Sequence, residues 1–253
     1  MRALVPFGDR RWACILVLAL GLASCRYGYQ YYADPLRPLD EEGQTAGMIV
    51  SDDGTVTYVA DRLEISVRPF SDGELNRLFP AQSLQGTEST NPYTFGNWRD
   101  PSTGTTPRRF TVFQLKVKNY QYPKILIDPA KSGIISDNGR RYPALSQTDM
   151  EEYYRKYITG YVGQLYTTFQ GRKDLLSRTL YPGGVVFSGQ EVEGFIAFAD
   201  LHPEVRKVRL HLGDIALRFN FRDEPIETID IEYAFDREIG YYYPRGEREP
   251  IKN

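Results

Sequence analysis

Alternation of apolar and polar residues with a period of two is the pattern that most constrains the fold of this chain. Its apolar members are Leu63, Ile65 and Val67; Phe113, Leu115 and Val117; Val208, Leu210 and Leu212; Ile215, Leu217, Phe219 and Phe221; and Ile229, Ile231, Tyr233 and Phe235. Successive side chains of a strand point to opposite faces, so each stretch is typical of a half-buried β-strand. With the apolar stretches at 125–127 and 134–135, the sequence predicts a mainly β fold of about seven or eight strands, an antiparallel sandwich.

Turn residues separate several of these strands. Asp137-Asn138-Gly139 follows the apolar stretch at 134–135, and Gly213-Asp214 lies between two alternating stretches. Asn, Asp and Gly adopt the backbone conformations that tight turns require. We therefore predict a turn at 137–139 and a tight hairpin at 213–214.

Two longer stretches carry a resemblance to a known fold. The first, 110–142, has a strand ending in Asn119 and a later turn at Asp137-Asn138-Gly139; the second, 184–198, has two apolar strands around a Gly-Gln turn. Both resemble immunoglobulin-like domains that are common in bacterial lipoproteins. The resemblance implies an immunoglobulin-like β-sandwich with a short helical insertion and implies no activity.

The N-terminus has the composition of an export signal. Arg2, Arg10 and Arg11 precede an uncharged apolar stretch at 12–23. That stretch is shorter than the roughly 20 residues that a membrane-spanning helix needs. We therefore expect a cleavable signal peptide over residues 1–24.

The signal ends in Leu22-Ala23-Ser24-Cys25, which resembles the lipobox of bacterial lipoproteins. This resemblance implies lipidation of Cys25 and a membrane anchor in the cell envelope. Arg26 follows the cysteine, where an aspartate would favour the inner membrane, so the resemblance favours the outer membrane, with the domain facing the periplasm or the cell surface. An ordinary secretory signal and a twin-arginine signal at Arg10-Arg11 are the alternatives.

The composition of the mature chain limits its partners. Without Arg2, Arg10, Arg11 and Asp9, the 31 basic and 33 acidic residues become 28 and 32. This slightly negative balance argues against a nucleic-acid partner. Because the two cysteines are Cys14 and Cys25, we expect no internal disulfide and no cysteine-based metal site, and nothing in the sequence indicates a cofactor.

We expect four segments along the chain. They are a signal peptide at 1–24, a tether at 25–45, a β-sandwich domain at 46–240 and a C-terminal tail at 241–253, with a long loop at 80–107 and a helical insertion at 148–180 inside the domain. Thr148 and Glu151 have the spacing of a capping box, which predicts the start of a helix. A charged end suggests fraying of the tail.

Candidate catalytic and metal-binding residues are few. His202 precedes a proline and His211 falls on the polar face of a strand, so we interpret both as surface residues. The acidic turns Asp52-Asp53-Gly54 and 137–139 lack the spaced ligands of a calcium loop. Glu151-Glu152 is the remaining candidate for acid/base chemistry in a hydrolase, although carboxylates also favour a helix N-terminus.

The long loop contains the best candidate contact residues. Tyr93, Phe95, Trp98 and Arg99 are surrounded by small polar residues, and Trp, Tyr and Arg are enriched in binding hot spots. We therefore predict a non-catalytic interaction or structural module that contacts an envelope protein partner through this loop and the inserted helices. A glycan or small-ligand site is the alternative, and a third interpretation is that the aromatic rings cover one end of the sandwich.

Overall fold

A computed structural model describes residues 29–101, 104–158, 160, 163–243 and 247–251. The predicted signal peptide and Cys25 lie outside the described residues. The described residues divide into two compact units, one within 33–239 and the other formed by 29–32 with 240–243 and 247–251. Among the described residues, no helix combines the length and the apolar character that crossing a membrane requires.

The prediction of a mainly β chain is confirmed. The strands are β1 (Gln30–Ala33), β2 (Arg37–Pro38), β3 (Met48–Val50), β4 (Val56–Ala60), β5 (Leu63–Phe70), β6 (Phe110–Asn119), β7 (Lys124–Ile127), β8 (Ser132–Ser136), β9 (Arg141–Leu145), β10 (Gly184–Phe187), β11 (Gln190–Ala199), β12 (Lys207–Phe219), β13 (Pro225–Asp236), β14 (Ile239–Tyr242) and β15 (Arg248–Pro250). The α-helices are α1 (Asp72–Leu78), α2 (Pro80–Ser83), α3 (Gln147–Arg155) and α4 (Gln164–Thr179). Short 3-10 helices cover Glu41–Gly43, Gly86–Glu88 and Pro129–Lys131.

Within residues 33–239 the strands follow one continuous antiparallel path. Its order is β10-β7-β12-β8-β9-β11-β6-β5-β4-β3, and β13 pairs with β12 and with β2. Strand β9 joins the two halves, since Ile134 of β8 pairs with Tyr142 while Ala197 of β11 pairs with Leu145. The paired strands therefore form a near-barrel around a common core.

That core includes most of the inward members of the predicted alternation, but Phe221 lies beyond the end of β12 and is 91% exposed. Leu63, Ile65 and Val67 are fully buried, and Tyr233 from β13 donates its hydroxyl to the Ile65 carbonyl oxygen at 2.7 Å. Burying each large aliphatic side chain contributes about 1.5–3 kcal/mol to stability. The period-two pattern therefore identified core residues on strands of both halves, such as β5 and β13.

The predicted hairpin at 213–214 is wrong. Strand β12 continues through these residues, and its pairing with β13 shifts register between Leu212 and Ile215. Asp214 has a φ of 53° and its backbone N–H donates to an Asp230 carboxylate oxygen at 2.8 Å. Gly-Asp thus forms a β-bulge, which uses the same left-handed backbone conformation as a turn.

Part of the predicted tether belongs to the β domain. Strand β2 pairs with β13, and Leu36 is buried. The Gln44 side chain also donates to the Ala234 carbonyl oxygen at 2.7 Å. Residues 36–44 are therefore bound to the sheet by strand pairing and hydrogen bonds. The mixed composition of this segment had not indicated a strand.

The predicted C-terminal tail contains two strands. Strands β14 and β15 pair with each other, and β1 completes a separate three-stranded sheet. Cross-strand pairing of backbone groups outweighs the charged composition that suggested fraying.

Two helices occupy the predicted insertion. The capping box of α3 is formed by Ser146 and Asp149 instead of Thr148 and Glu151. Ser146 has extended backbone angles and accepts from the Asp149 N–H, which is the geometry that an N-cap requires. Helices α1, α3 and α4 pack on the ends of β6 and β11 through a second apolar cluster that includes Leu75, Phe110, Met150, Leu176 and Phe195.

Candidate functional site

The strongest candidate site is a cavity of about 400 Å³ at the end of the β domain that carries the inserted helices. Its lining comes from the long loop, the residue before β6, both inserted helices and the residues just after α3: Thr87, Glu88, Phe95, Trp98, Arg109, Tyr153, Tyr154, Tyr157, Ile158, Leu165, Thr168, Phe169 and Arg172. A cavity of this size lies in the range of small-molecule sites. We call it the aromatic cavity.

The loop beside the cavity is fixed by a buried asparagine. The Asn91 side chain is fully buried, donates to Ser83 Oγ at 3.0 Å and accepts from the Tyr93 N–H at 3.0 Å. Gly96 has a φ of 59°, and a Cβ there would lie 2.5 Å from the Ser83 carbonyl oxygen. These contacts make the loop a structured part of the domain.

The structure separates the four predicted contact residues. Tyr93 is fully buried, with its hydroxyl 2.6 Å from Thr179 Oγ1, and burial raises the pKa of its hydroxyl. Phe95 and Trp98 are half-buried, line the aromatic cavity and have ring centroids 5.7 Å apart. Arg99 is exposed and is not part of the lining. Tyr93 therefore covers the core, and only Phe95 and Trp98 meet at one site.

Helix α3 and the residues after it supply three tyrosines to the cavity. Tyr153 and Tyr157 share a face at i, i+4 spacing, with ring centroids 5.8 Å apart. Tyr154 is buried and donates its hydroxyl to the Pro92 carbonyl oxygen, which ties α3 to the long loop. Burial raises the pKa of Tyr154 to about 12, and Arg109 and Arg172 oppose this shift.

Two arginines are the charged residues most closely associated with these rings. The Arg109 guanidinium carbon lies 3.8 Å from the Phe95 ring centroid and 5.2 Å from that of Tyr154. The Arg172 guanidinium carbon lies 4.6 Å from the Tyr154 centroid. Both distances to Tyr154 are in the range of cation–π attraction, so one buried ring connects the two cations.

The hydrogen bonds of the two guanidinium groups differ. Arg172 donates through Nε and Nη2 to the Ser89 carbonyl oxygen at 3.0 and 2.7 Å. Arg109 donates through Nη1 to the Tyr154 hydroxyl at 3.0 Å, while its Nε is buried without a hydrogen-bond partner among the described residues. A buried cationic donor without a partner lowers stability. Arg109 Nε is such a donor, and its residue lines the cavity.

Carboxylates are sparse around these arginines. Within the described ranges, neither Arg109 nor Arg172 lies within 4.0 Å of a carboxylate oxygen. Glu88 lines the cavity but accepts a hydrogen bond from Gln164. Burial lowers the pKa of Arg172, and the positive charge of Arg109 lowers it further. The cavity thus has two neighbouring cations without direct neutralisation.

Sequence reasoning missed both arginines. Arg172 lies on the buried face of α4 between Phe169 and Leu176, and an arginine at an apolar helix position is the signal that could have identified it. Arg109 directly precedes the buried start of β6, and its sequence context contains no comparable signal.

The other candidate residues occupy different places. Glu151 is buried, accepts from Gln147 Nε2 at 2.8 Å and lies 3.1 Å from Lys173 Nζ, and Glu152 is exposed. Asp53 accepts from the Thr55 N–H at 3.0 Å, a bond that lowers its pKa and is typical of turns. In the part of the chain that the structure describes, no group of three or more His, Cys, Asp or Glu side chains is arranged to hold a metal ion.

Comparisons with known proteins assign this chain to no family. No family model and no curated protein matches the sequence. One similar solved structure is MPT63, a secreted protein from Mycobacterium tuberculosis, which is 11% identical. The match covers 66% of this chain and 91% of that chain with a TM-score of 0.30, too low to support an argument.

Proposed function

We propose that the mature chain is a lipid-anchored, non-catalytic binding protein of the bacterial envelope and that the aromatic cavity is its ligand site. The observation that carries this proposal is the convergence of the long loop and both inserted helices on one cavity lined by aromatic rings. Three of these rings belong to Phe95, Trp98 and Tyr153. Small-molecule sites combine such apolar walls with a few polar groups.

The anchor is a separate part of this proposal. The lipobox resemblance at Leu22-Ala23-Ser24-Cys25 supports a lipid on Cys25, and Arg26 supports the outer membrane. We also propose that the β domain is immunoglobulin-like, supported by the resemblance of residues 110–142 and 184–198.

Metabolic labelling with an alkyne-bearing fatty acid tests the anchor. We expect label on the wild-type protein and on Cys14→Ser, and none on Cys25→Ser. Label that persists on Cys25→Ser would contradict lipidation at that residue.

The single tryptophan of the mature chain makes cavity binding measurable. The sequence contains Trp12, inside the predicted signal, and Trp98, which lines the cavity. Intrinsic fluorescence of the mature protein therefore reports directly on the aromatic cavity. An organic extract of the native cell envelope is the source of candidate ligands.

We expect this extract to change Trp98 emission in the wild type and in Thr167→Phe, but not in Thr168→Phe. Thr168 is buried and lines the cavity, whereas Thr167 is exposed on the same helix, so the two variants add the same ring in different places. Overpacking costs about 1–3 kcal/mol, and circular dichroism verifies that both variants fold. No saturable change in the wild type, or an equal change in Thr168→Phe, would contradict the proposal.

A further inference from the structure

The charge of the aromatic cavity indicates what kind of molecule it binds. We infer that the cavity binds a small organic anion with an apolar, ring-containing body, held by the guanidinium groups of Arg109 and Arg172; this rests on the proposed function. The inference names a ligand class that the loop sequence alone did not indicate.

The first step of the argument concerns the two positive charges. The side chains of Arg109 and Arg172 are drawn together by the ring of Tyr154, although like charges repel. An arginine in a buried position is normally paired with an anion. Among the described residues no carboxylate lies within ion-pair distance of either guanidinium, and Glu88 of the lining accepts a hydrogen bond from Gln164 instead. A bound anion would therefore neutralise the two cations directly.

The second step concerns available donors. A guanidinium group has five N–H bonds in a planar fork that matches carboxylate, sulfonate or phosphate oxygens. Protein acceptors are recorded for one nitrogen of Arg109 and two of Arg172. Arg109 Nε is enclosed by protein, whereas Arg109 Nη2 has no acceptor among the described residues and is the donor that a ligand oxygen in the cavity would satisfy.

The third step concerns the apolar part of the ligand. Phe95, Trp98, Tyr153 and Tyr157 provide aromatic walls, and Phe169 provides a further buried ring. Such walls favour stacked or edge-to-face contact with a flat ring. A volume of about 400 Å³ suits a molecule of one or two rings instead of a polymer or a long lipid chain.

A matched pair of fluorescent probes tests this inference. 8-Anilinonaphthalene-1-sulfonate carries the ring system and one negative charge, and N-phenyl-1-naphthylamine carries the same rings without the charge. Both are titrated into the folded full-length mature protein. Charge-assisted hydrogen bonds lead us to expect the sulfonate to bind at least about tenfold more tightly than the neutral probe.

Arginine variants locate the effect. Arg109→Gln should weaken sulfonate binding about tenfold and change binding of the neutral probe less than about twofold. Arg178→Gln is the matched control, because Arg178 is exposed on helix α4 and pairs with Asp174. The control should bind both probes like the wild type.

The outcomes separate the inference from the proposed function. Equal binding of both probes, without an effect of Arg109→Gln, would overturn the anionic class and leave the cavity as a binding site. If neither probe binds, the inference fails, and the Trp98 assay with envelope extract decides the proposed function independently. If Arg109→Gln does not fold, rising salt in the wild type replaces it: weaker binding of the sulfonate alone supports the inference, and an unchanged affinity overturns it.

Discussion

The pKa of Asp72, the first residue of helix α1, is shifted by its surroundings. Burial raises its pKa to about 6; Arg108 opposes this shift, the negative charge of Asp200 adds to it, and Arg109 opposes it. In the unfolded chain the group ionises near its ordinary value of 3.8. Between these values the folded state binds more protons than the unfolded state, so this group lowers stability as the pH rises from about 4 to about 6.

Replacing Asp72 tests this sign. We expect Asp72→Asn to remove the decline in the free energy of unfolding between about pH 4 and pH 6 that the wild type owes to this group. Urea denaturation at a series of pH values measures the difference. The exposed Glu152→Gln is the control and should keep the wild-type slope; an unchanged slope in Asp72→Asn would contradict the assignment.

At the same scale, composition identified Phe95 and Trp98 as residues of the site but missed Arg109 and Arg172. Tyr93, Phe95 and Trp98 stand close together in the sequence, yet Tyr93 is in the core while Phe95 and Trp98 line the cavity. The buried Asn91 turns the loop so that these rings point to different places. Local sequence carries the preference for aromatic contact, and the direction of each ring also depends on partners distant along the chain, such as Thr179 for Tyr93.

At the scale of elements, a close approach fixes helix α4 to strand β11. A Cβ on Gly194 would lie 2.5 Å from Tyr181 Cα and 2.6 Å from Tyr181 N. The Tyr181 N–H donates to the Phe195 carbonyl oxygen at 2.8 Å just beyond the helix. Glycine is therefore required at residue 194 for the chain leaving α4 to reach the sheet.

Gly194→Ala tests this close approach. We expect it to lower the free energy of unfolding by about 1–3 kcal/mol, because the backbone of Tyr181 must move away. Urea denaturation measures the loss, and faster amide exchange at the end of α4 locates it. Glu193→Ala, an exposed neighbour, is the control; equal stability of the two variants would contradict the required close approach.

The strands show how far periodicity alone leads. It predicted β5, β6, β12 and β13 because one buried face leaves a period of two in the sequence. It mistook the bulge at Asp214 for a hairpin, since both structures favour residues that adopt positive φ. The pairing with β13 distinguishes the bulge from a hairpin, because the parts of β12 before and after Asp214 both pair with that one strand.

At the scale of the molecule, the inserted helices change what the β domain can do. The core between the sheets is filled by side chains such as Leu115 and Tyr233. The cavity arises where helices α3 and α4 and the long loop cover the ends of β6 and β11. Sequence analysis singled out both segments as additions to a minimal sandwich, but their convergence on one site depends on the tertiary structure.

Photo-crosslinking in the native cell envelope tests most directly whether the aromatic cavity is the binding site. A photoreactive amino acid replaces Trp98 inside the cavity, and in a control it replaces Phe221, which is 91% exposed and outside the lining. We predict a discrete small-molecule adduct, identified by mass spectrometry, from residue 98 and none from residue 221. A protein adduct alone from residue 98 would favour contact with an envelope protein partner over a small-molecule site, and no adduct above the control would contradict the account.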